Sequence, residues 1–171
     1  MKHSKGFTLI ELMITLAVAV ILVVAAVPSY RSVVQENRAA SQTNALLRAL
    51  SYARSEAVKH AEVVTICQSS NQSSCGGSTS WQGGWIVFSD DNGNGSLDSS
   101  TDILLQVGNG LSGGSTLTAG VKFIRYTASG AVVDTDITQF TLTPASCQGQ
   151  MRRLIMVTGS GQAIMQKTTC P

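Results

Sequence analysis

The chain has 171 residues, 43% of them hydrophobic and only 13% charged, which excludes a disordered chain and leaves room for one modest domain with an appended element. Its formal charge of +2 excludes a polycation acting along the whole length. The signs are nevertheless segregated: residues 61–110 carry Glu62, Asp90, Asp91, Asp98 and Asp102 and no Lys or Arg, whereas residues 122–171 carry Lys122, Arg125, Arg152, Arg153 and Lys167 against Asp134 and Asp136.

From Phe7 to Val27 the only polar side chains are Thr8, Glu11 and Thr15. As a helix this run is long enough to cross a ~30 Å hydrocarbon core. Lys2, His3 and Lys5 precede it and no acid does. Basic flanks stay on the cytoplasmic side, so the C-terminal body is expected across the membrane. A secretory signal peptide is the competing reading, with Ala25 and Ala26 in "VVAAVPSY" as its small-residue cleavage site. Glu11 speaks against it, since a carboxylate near the bilayer centre costs ~2.5–3.5 kcal/mol and a discarded signal has no use for one. Pro28 lacks an N–H and clashes with the carbonyl four residues earlier, which predicts a kink where the helix leaves the membrane. Its plain alternative is the end of the span.

"KGFTLIELMITLAVAVILVVAAVPSY", Lys5 to Tyr30, resembles the N-terminus of type IV pilins and of the related type II secretion pseudopilins. The resemblance implies that a prepilin peptidase cuts between Gly6 and Phe7, removes residues 1–6 as a leader, and methylates the new Phe7 amine. Glu11 then becomes the fifth residue of the mature chain. Loss of Lys2 and Lys5 leaves ten bases against ten acids. In a helical filament of such subunits the Glu11 carboxylate can pair with the Phe7 amine of a neighbour. An ion that is costly alone becomes a register device when paired, because a slipped subunit leaves both charges unpaired.

Helical periodicity continues through "RAASQTNALLRALSYARSEAVKHAEVVTIC". Leu46, Leu50, Ala53 and Ala57 recur at i, i+4, i+7 and i+11, with Leu47 and Val58 widening the stripe. Arg48, Arg54, Glu56 and Lys59 mostly lie off it. The expectation is one helix from about Phe7 to Ala61: a membrane or filament-core half over 7–28 and an amphipathic half over 29–61 that packs on a sheet. "LLRALSYARSEAVKHAEVVTIC", Leu46 to Cys67, is similar to the GspH/FimT branch of the family, which covers minor pilins and pseudopilins.

Beyond Ala61 the period changes. "EVVTIC", "WIVF", "DILLQV", "VKFIRY", "AVV", "FTLT", "RLIMV" and "QAIMQ" are short β-rich runs between turn-formers such as "DDNGNGS" and "TGSGQ". Seven or eight antiparallel strands over 62–171 are predicted, with Ile66, Trp85, Val87, Leu104, Phe123, Phe140, Leu142, Leu154 and Met156 in the core. The family resemblance likewise implies an α+β fold, with two β-sheets against the long helix.

Cys67, Cys75, Cys147 and Cys170 all lie beyond the membrane run, and none forms a C-x-x-C pair. A zinc ribbon or thioredoxin-like site is therefore unsupported, while an even count in an oxidising periplasm favours disulfides. Three connectivities are open. Cys67–Cys75 with Cys147–Cys170 is favoured, because each closes a Gly/Ser-rich excursion.

"DDNGNGSLDSSTD" matches the first half of a calcium loop at Asp90, Asn92, Asn94 and Gly95, and Asp98 and Asp102 offer further oxygens. The twelfth position is Thr101 rather than a bidentate Glu, and the alternative is a hairpin loop of turn residues, with no metal. No catalytic set is visible. His3 leaves with the leader, so any Ser-His-Asp or Cys-His set would need His60; the cysteines are expected to be oxidised, and His60 is expected on the solvated helix surface with Ser55 and Glu56. No cofactor is expected.

The pilus side of the resemblance includes a DNA-binding competence pilin, whose contacts lie in a Gly-Arg-x-Arg hairpin near the C-terminus. The matching stretch is Gly161-Gln162-Ala163-Ile164, without either arginine. Arg152, Arg153 and Lys167 flank it as candidate phosphate contacts, with no interleaved aromatics to stack on bases. The expectation is a minor pilin or pseudopilin held in the inner membrane by one span, its C-terminal domain periplasmic. Its expected partners are other pilins or pseudopilins in a filament and the prepilin peptidase. The alternatives are a DNA-capturing pilus subunit and an anchored surface hydrolase, the latter disfavoured by the missing catalytic set.

Overall fold

A computed structural model describes residues 6–133 and 137–171. The leader bases Lys2, His3 and Lys5 and the acids Asp134 and Asp136 lie outside them. One helix, α1 (Leu9–His60), 52 residues and about 78 Å long, precedes eight strands. These are β1 (Val64–Gln68), β2 (Gly84–Ser89), β3 (Leu104–Asn109), β4 (Thr116–Ala119), β5 (Phe123–Tyr126), β6 (Ile137–Thr143), β7 (Arg152–Thr158) and β8 (Ala163–Thr168).

Both ends of α1 are set by local chemistry. Thr8 is the N-cap in an extended conformation, and its hydroxyl accepts the Glu11 N–H at 3.3 Å. Thr8-x-x-Glu11 is the spacing of a capping box, and it puts an acid on the positive end of the helix dipole. At the other end Ala61 adopts the left-handed conformation, φ 56°, and the Glu62 N–H reaches back to the Ala57 carbonyl at 3.2 Å. That is the bond pattern of a Schellman stop, with alanine where glycine is usual. The helix runs through Pro28 without interruption, so Pro28 does not end it. The proline removes the N–H that would serve the Val24 carbonyl.

The strands form two four-stranded antiparallel sheets, ordered β3-β2-β1-β5 and β4-β6-β7-β8. The C-terminal half of α1 lies against both. Leu46, Leu50, Ala53 and Ala57, together with Ala39 and Ala49, are fully buried with Ile66, Trp85, Val87, Phe140, Leu142, Ile155 and Val157. Trp81 meets Phe140 edge to face at 5.0 Å between ring centroids and donates its indole N–H to the Val121 carbonyl. Gly108 is required by packing: a Cβ there would stand 2.2 Å from the Trp85 indole laid over it.

The first sheet is covered on both faces. Val64 and Ile66 point to α1, while Cys67, Ile86 and Phe88 form a second small core with Cys75, Leu97 and Phe123, under the loops that follow β1 and β2. That is why β1 and most of β2 are buried residue after residue instead of alternating.

Several sequence expectations need correction. "AVV" contributes only a single bridge, Tyr126 to Val132, and the strand is the unremarked "TLTA" of β4. Leu104 is 42% exposed because β3 is a sheet edge, and Phe123, on the opposite edge strand β5, is half-buried. Val58 is exposed rather than part of the buried stripe. In β7 the phase is off by one: Arg153, Ile155 and Val157 face inward, and Leu154 and Met156 are only half-buried. Both faces of this strand are apolar enough to bury, and on the inward one Arg153 is accommodated by an ion pair.

Candidate functional site

The N-terminal half of α1 is a stalk without cover. The described side chains from Phe7 to Tyr30 are exposed, Phe7 at 81%. An 18-residue window of α1 has a mean hydropathy of 2.8, enough to cross a membrane, and none of it is buried within the subunit. Each large aliphatic side chain moved out of water contributes roughly 1.5–3 kcal/mol. Such a surface requires lipid or other chains around it. Glu11 stands exposed in its first turn, four positions from Phe7.

Where the stalk meets the sheets, three charges converge. Arg153 and Lys167 are cross-strand partners in β7 and β8. Glu36, two helical turns past Pro28, takes the Arg153 guanidinium at 2.7 Å and the Lys167 ammonium at 2.6 Å on one oxygen, Oε1. Arg153 is 1% exposed and also donates to the Gln150 carbonyl at 3.0 Å. The Lys167 hydrogen bond and the Arg153 charge hold the Glu36 carboxyl below the usual range, against a partial burial that works the other way. No motif in the sequence marks Glu36. The available signal was that it is the only acid in α1 between Glu11 and Glu56.

This geometry answers the expectation for Arg152, Arg153 and Lys167 as phosphate contacts. Arg153 is inside the protein, Lys167 is bonded to Glu36, and Arg152 is half-buried. The three do not form a free cationic face. Of the Gly161-Gln162-Ala163-Ile164 stretch, Gly161 and Gln162 end the turn from β7, closed by Thr158 N–H to the Gln162 carbonyl, and Ala163 and Ile164 open β8. A Cβ on Gly161 would stand 1.9 Å from the Gly130 carbonyl, so this turn is packed on its neighbour. A 780 Å³ groove beside it is lined by Arg54, Lys59 and Ile164 among others.

The acidic loop is folded on its own amides and lies over the second core. Asp90 is fully buried and accepts from the Thr65 hydroxyl at 2.7 Å and from the Asn94 and Gly95 amides at 3.0 Å. Asp98 accepts from the side-chain amides of Asn92 and Asn94, and Asp102 from the Asp91 and Asp98 amides. Arg125 donates to the Gly93 carbonyl. Among the described residues no three His, Cys, Asp or Glu side chains are grouped to hold a metal. The loop's carboxylates instead fix it over the second core.

Cys67 is bonded to Cys75 and Cys147 to Cys170, each pair with Cα atoms 5.6 Å apart. The second bridge ties the chain end to the loop between β6 and β7. His60 is exposed beside Glu56, at 3.3 Å, on the last turn of α1. Its imidazole neighbours a carboxylate on a helix surface.

An apolar stalk, a capped helix and two small sheets stapled by disulfides define a pilin-like subunit. The comparisons make this specific. Residues 42–161 match the family described as type II transport protein GspH, and residues 1–27 match the prokaryotic N-terminal methylation motif. The chain belongs to the GspH family, whose members are structural subunits rather than enzymes. The fold is similar to that of the type IV minor pilin FimU of Pseudomonas aeruginosa PAO1 in two crystal forms. One gives a TM-score of 0.61 at 20% identity over 76% of this chain and 89% of FimU. The other gives 0.57 at 20% identity over 74% and 90%. No curated protein matches.

Proposed function

We propose that the chain is a minor pilin or pseudopilin that is cut between Gly6 and Phe7, methylated at Phe7, and built into, or primes, a filament of a type IV pilus or type II secretion machine. The observation that carries this is the bare stalk. A continuous helix leaves the folded domain with its apolar surface uncovered and one acid, Glu11, near its tip. Before assembly the stalk spans the inner membrane with the sheets on the periplasmic side, the side the basic leader predicts. In the filament the stalks bundle, and Glu11 of one subunit takes the Phe7 amine of the next, which sets axial register.

The test is location. Filaments sheared from cells and probed with antibody should contain the processed chain at a low ratio to the major subunit. Abundant chain in membranes, with none in filaments from cells that assemble them normally, contradicts the proposal.

A further inference from the structure

The stalk leaves the sheets beside a cleft that no part of the assembly role uses. Its volume is 540 Å³. Val27, Pro28 and Arg31 of α1 form one wall, and Ser146, Gln148 and Met151, from the loop before β7, form the other. That loop is held in place by the Cys147–Cys170 bridge and by the Cys170 N–H bonded to the Gly149 carbonyl at 2.9 Å.

The position along the helix is informative. If Phe7 to Val27 fills the hydrocarbon core, residues 28 to 31 rise about 2–6 Å above it. The polar layer on each side of the core is about 5–7 Å thick. The cleft therefore opens at the depth of the lipid headgroups. Tyr30, 71% exposed, stands at the same level, where amphipathic rings settle. Among the described residues Arg31 is the one charged residue lining the cleft. In the adjoining 390 Å³ cleft, across Met151, the cation Lys167 is already bonded to Glu36.

We propose that this cleft holds an anionic phospholipid headgroup while the subunit waits in the membrane. Arg31 takes the phosphate, Ser146 and Gln148 offer hydrogen bonds, and Val27, Pro28 and Met151 receive the first methylenes of the chain. The domain thereby rests on the bilayer through the disulfide-held loop, and leaving for a filament requires giving up the lipid. The inference rests on the membrane-anchored reading above and adds a ligand to it.

The full chain, reconstituted in vesicles of equal phosphatidylglycerol and phosphatidylcholine, tests it with the photoreactive residue p-benzoylphenylalanine. The probe replaces Gln148, replaces Ile14 as a marker of the span, or replaces Ser129, which lines the groove beside Lys59, about 42 Å along the helix from Arg31. Illumination should attach lipid at Ile14 and at Gln148, but not at Ser129. At Gln148 phosphatidylglycerol adducts should exceed phosphatidylcholine adducts about fivefold, the preference expected for one cation at an anionic surface. Arg31→Ala should bring the ratio close to one. Adducts at Ile14 with none at Gln148 overturn the headgroup site and leave the span intact. Absence of adducts at both positions overturns the span and the site with it. Adducts at Gln148 without headgroup preference, or with a preference that survives Arg31→Ala, overturn the role of Arg31.

Discussion

Glu11 sits at a capped helix start and, in the proposed filament, meets a neighbour's amine, and substitutions separate the two roles. In the isolated subunit Glu11 occupies the N3 position after the Thr8 cap, where either a charged or a neutral hydrogen-bonding side chain serves the helix start. In the proposed filament only the charge matters, because the partner is an ammonium. Glu11→Gln should keep a stable membrane-inserted chain yet lose most incorporation, as should Glu11→Ala; quantifying the chain in sheared filaments against total membrane content checks this. Normal incorporation of Glu11→Gln would reduce Glu11 to a capping residue. At Glu36 the expectation concerns stability. Glu36→Ala leaves the Arg153 guanidinium buried without its counter-ion and should cost about 3 kcal/mol, the low end for a broken buried pair because Glu36 keeps some contact with water. Lys167→Ala should cost less than about 1 kcal/mol, since Lys167 is 54% exposed. The Glu36 carboxyl is held below its ordinary value of 4.5, so its contribution is complete above that pH and is lost as the pH falls through the depressed value. Melting temperature of the full chain in detergent should therefore drop more steeply below pH 4.5 in the parent than in Glu36→Ala.

Among the elements, α1 was the most legible, because its signals are local and repeated. The buried stripe of Leu46, Leu50, Ala53 and Ala57 follows from spacing alone, and its end at His60 from the change of period after Ala61. The stop itself carries strain that can be relieved. Ala61 holds a left-handed conformation that glycine adopts freely, so Ala61→Gly should stabilise the domain by about 1 kcal/mol, read as a raised melting temperature. Strand positions were readable and strand phase was not. Arg153 shares the inward face with Ile155 and Val157 and is met there by Glu36, 117 positions away, and no window around "RRLIMV" contains that partner. Edge exposure at Leu104 depends likewise on sheet order, which composition does not encode. The two disulfides were readable as excursions closed by cysteines. Replacing Cys147 and Cys170 together by Ser should cost about 3 kcal/mol, by freeing a loop of 23 positions in the unfolded chain. The acidic loop matched half of a calcium motif for a different reason: Asp and Asn are also the residues that fold a loop on its own amides.

As a whole, the molecule is a domain that covers its own apolar surface joined to a stalk that does not. The sheets and the second half of α1 bury their apolar side chains within the subunit, whereas the first half exposes Leu, Ile and Val along its length, with Phe7 exposed just before it. That division fits the proposed passage from lipid to a bundle of like helices; in this chain the N-terminal methylation motif, residues 1–27, lies ahead of the GspH match over residues 42–161. Everything proposed for Phe7 and Glu11 requires that the leader be removed at one bond, because only then is Phe7 an amine. Intact-mass spectrometry of the chain purified from membranes of its own host reads this directly. The expected mass is that of Phe7 to Pro171, less the hydrogens lost to two disulfides, plus one methyl group. A mass retaining Met1 to Gly6, or one beginning after Ala26, would contradict the assembly mechanism.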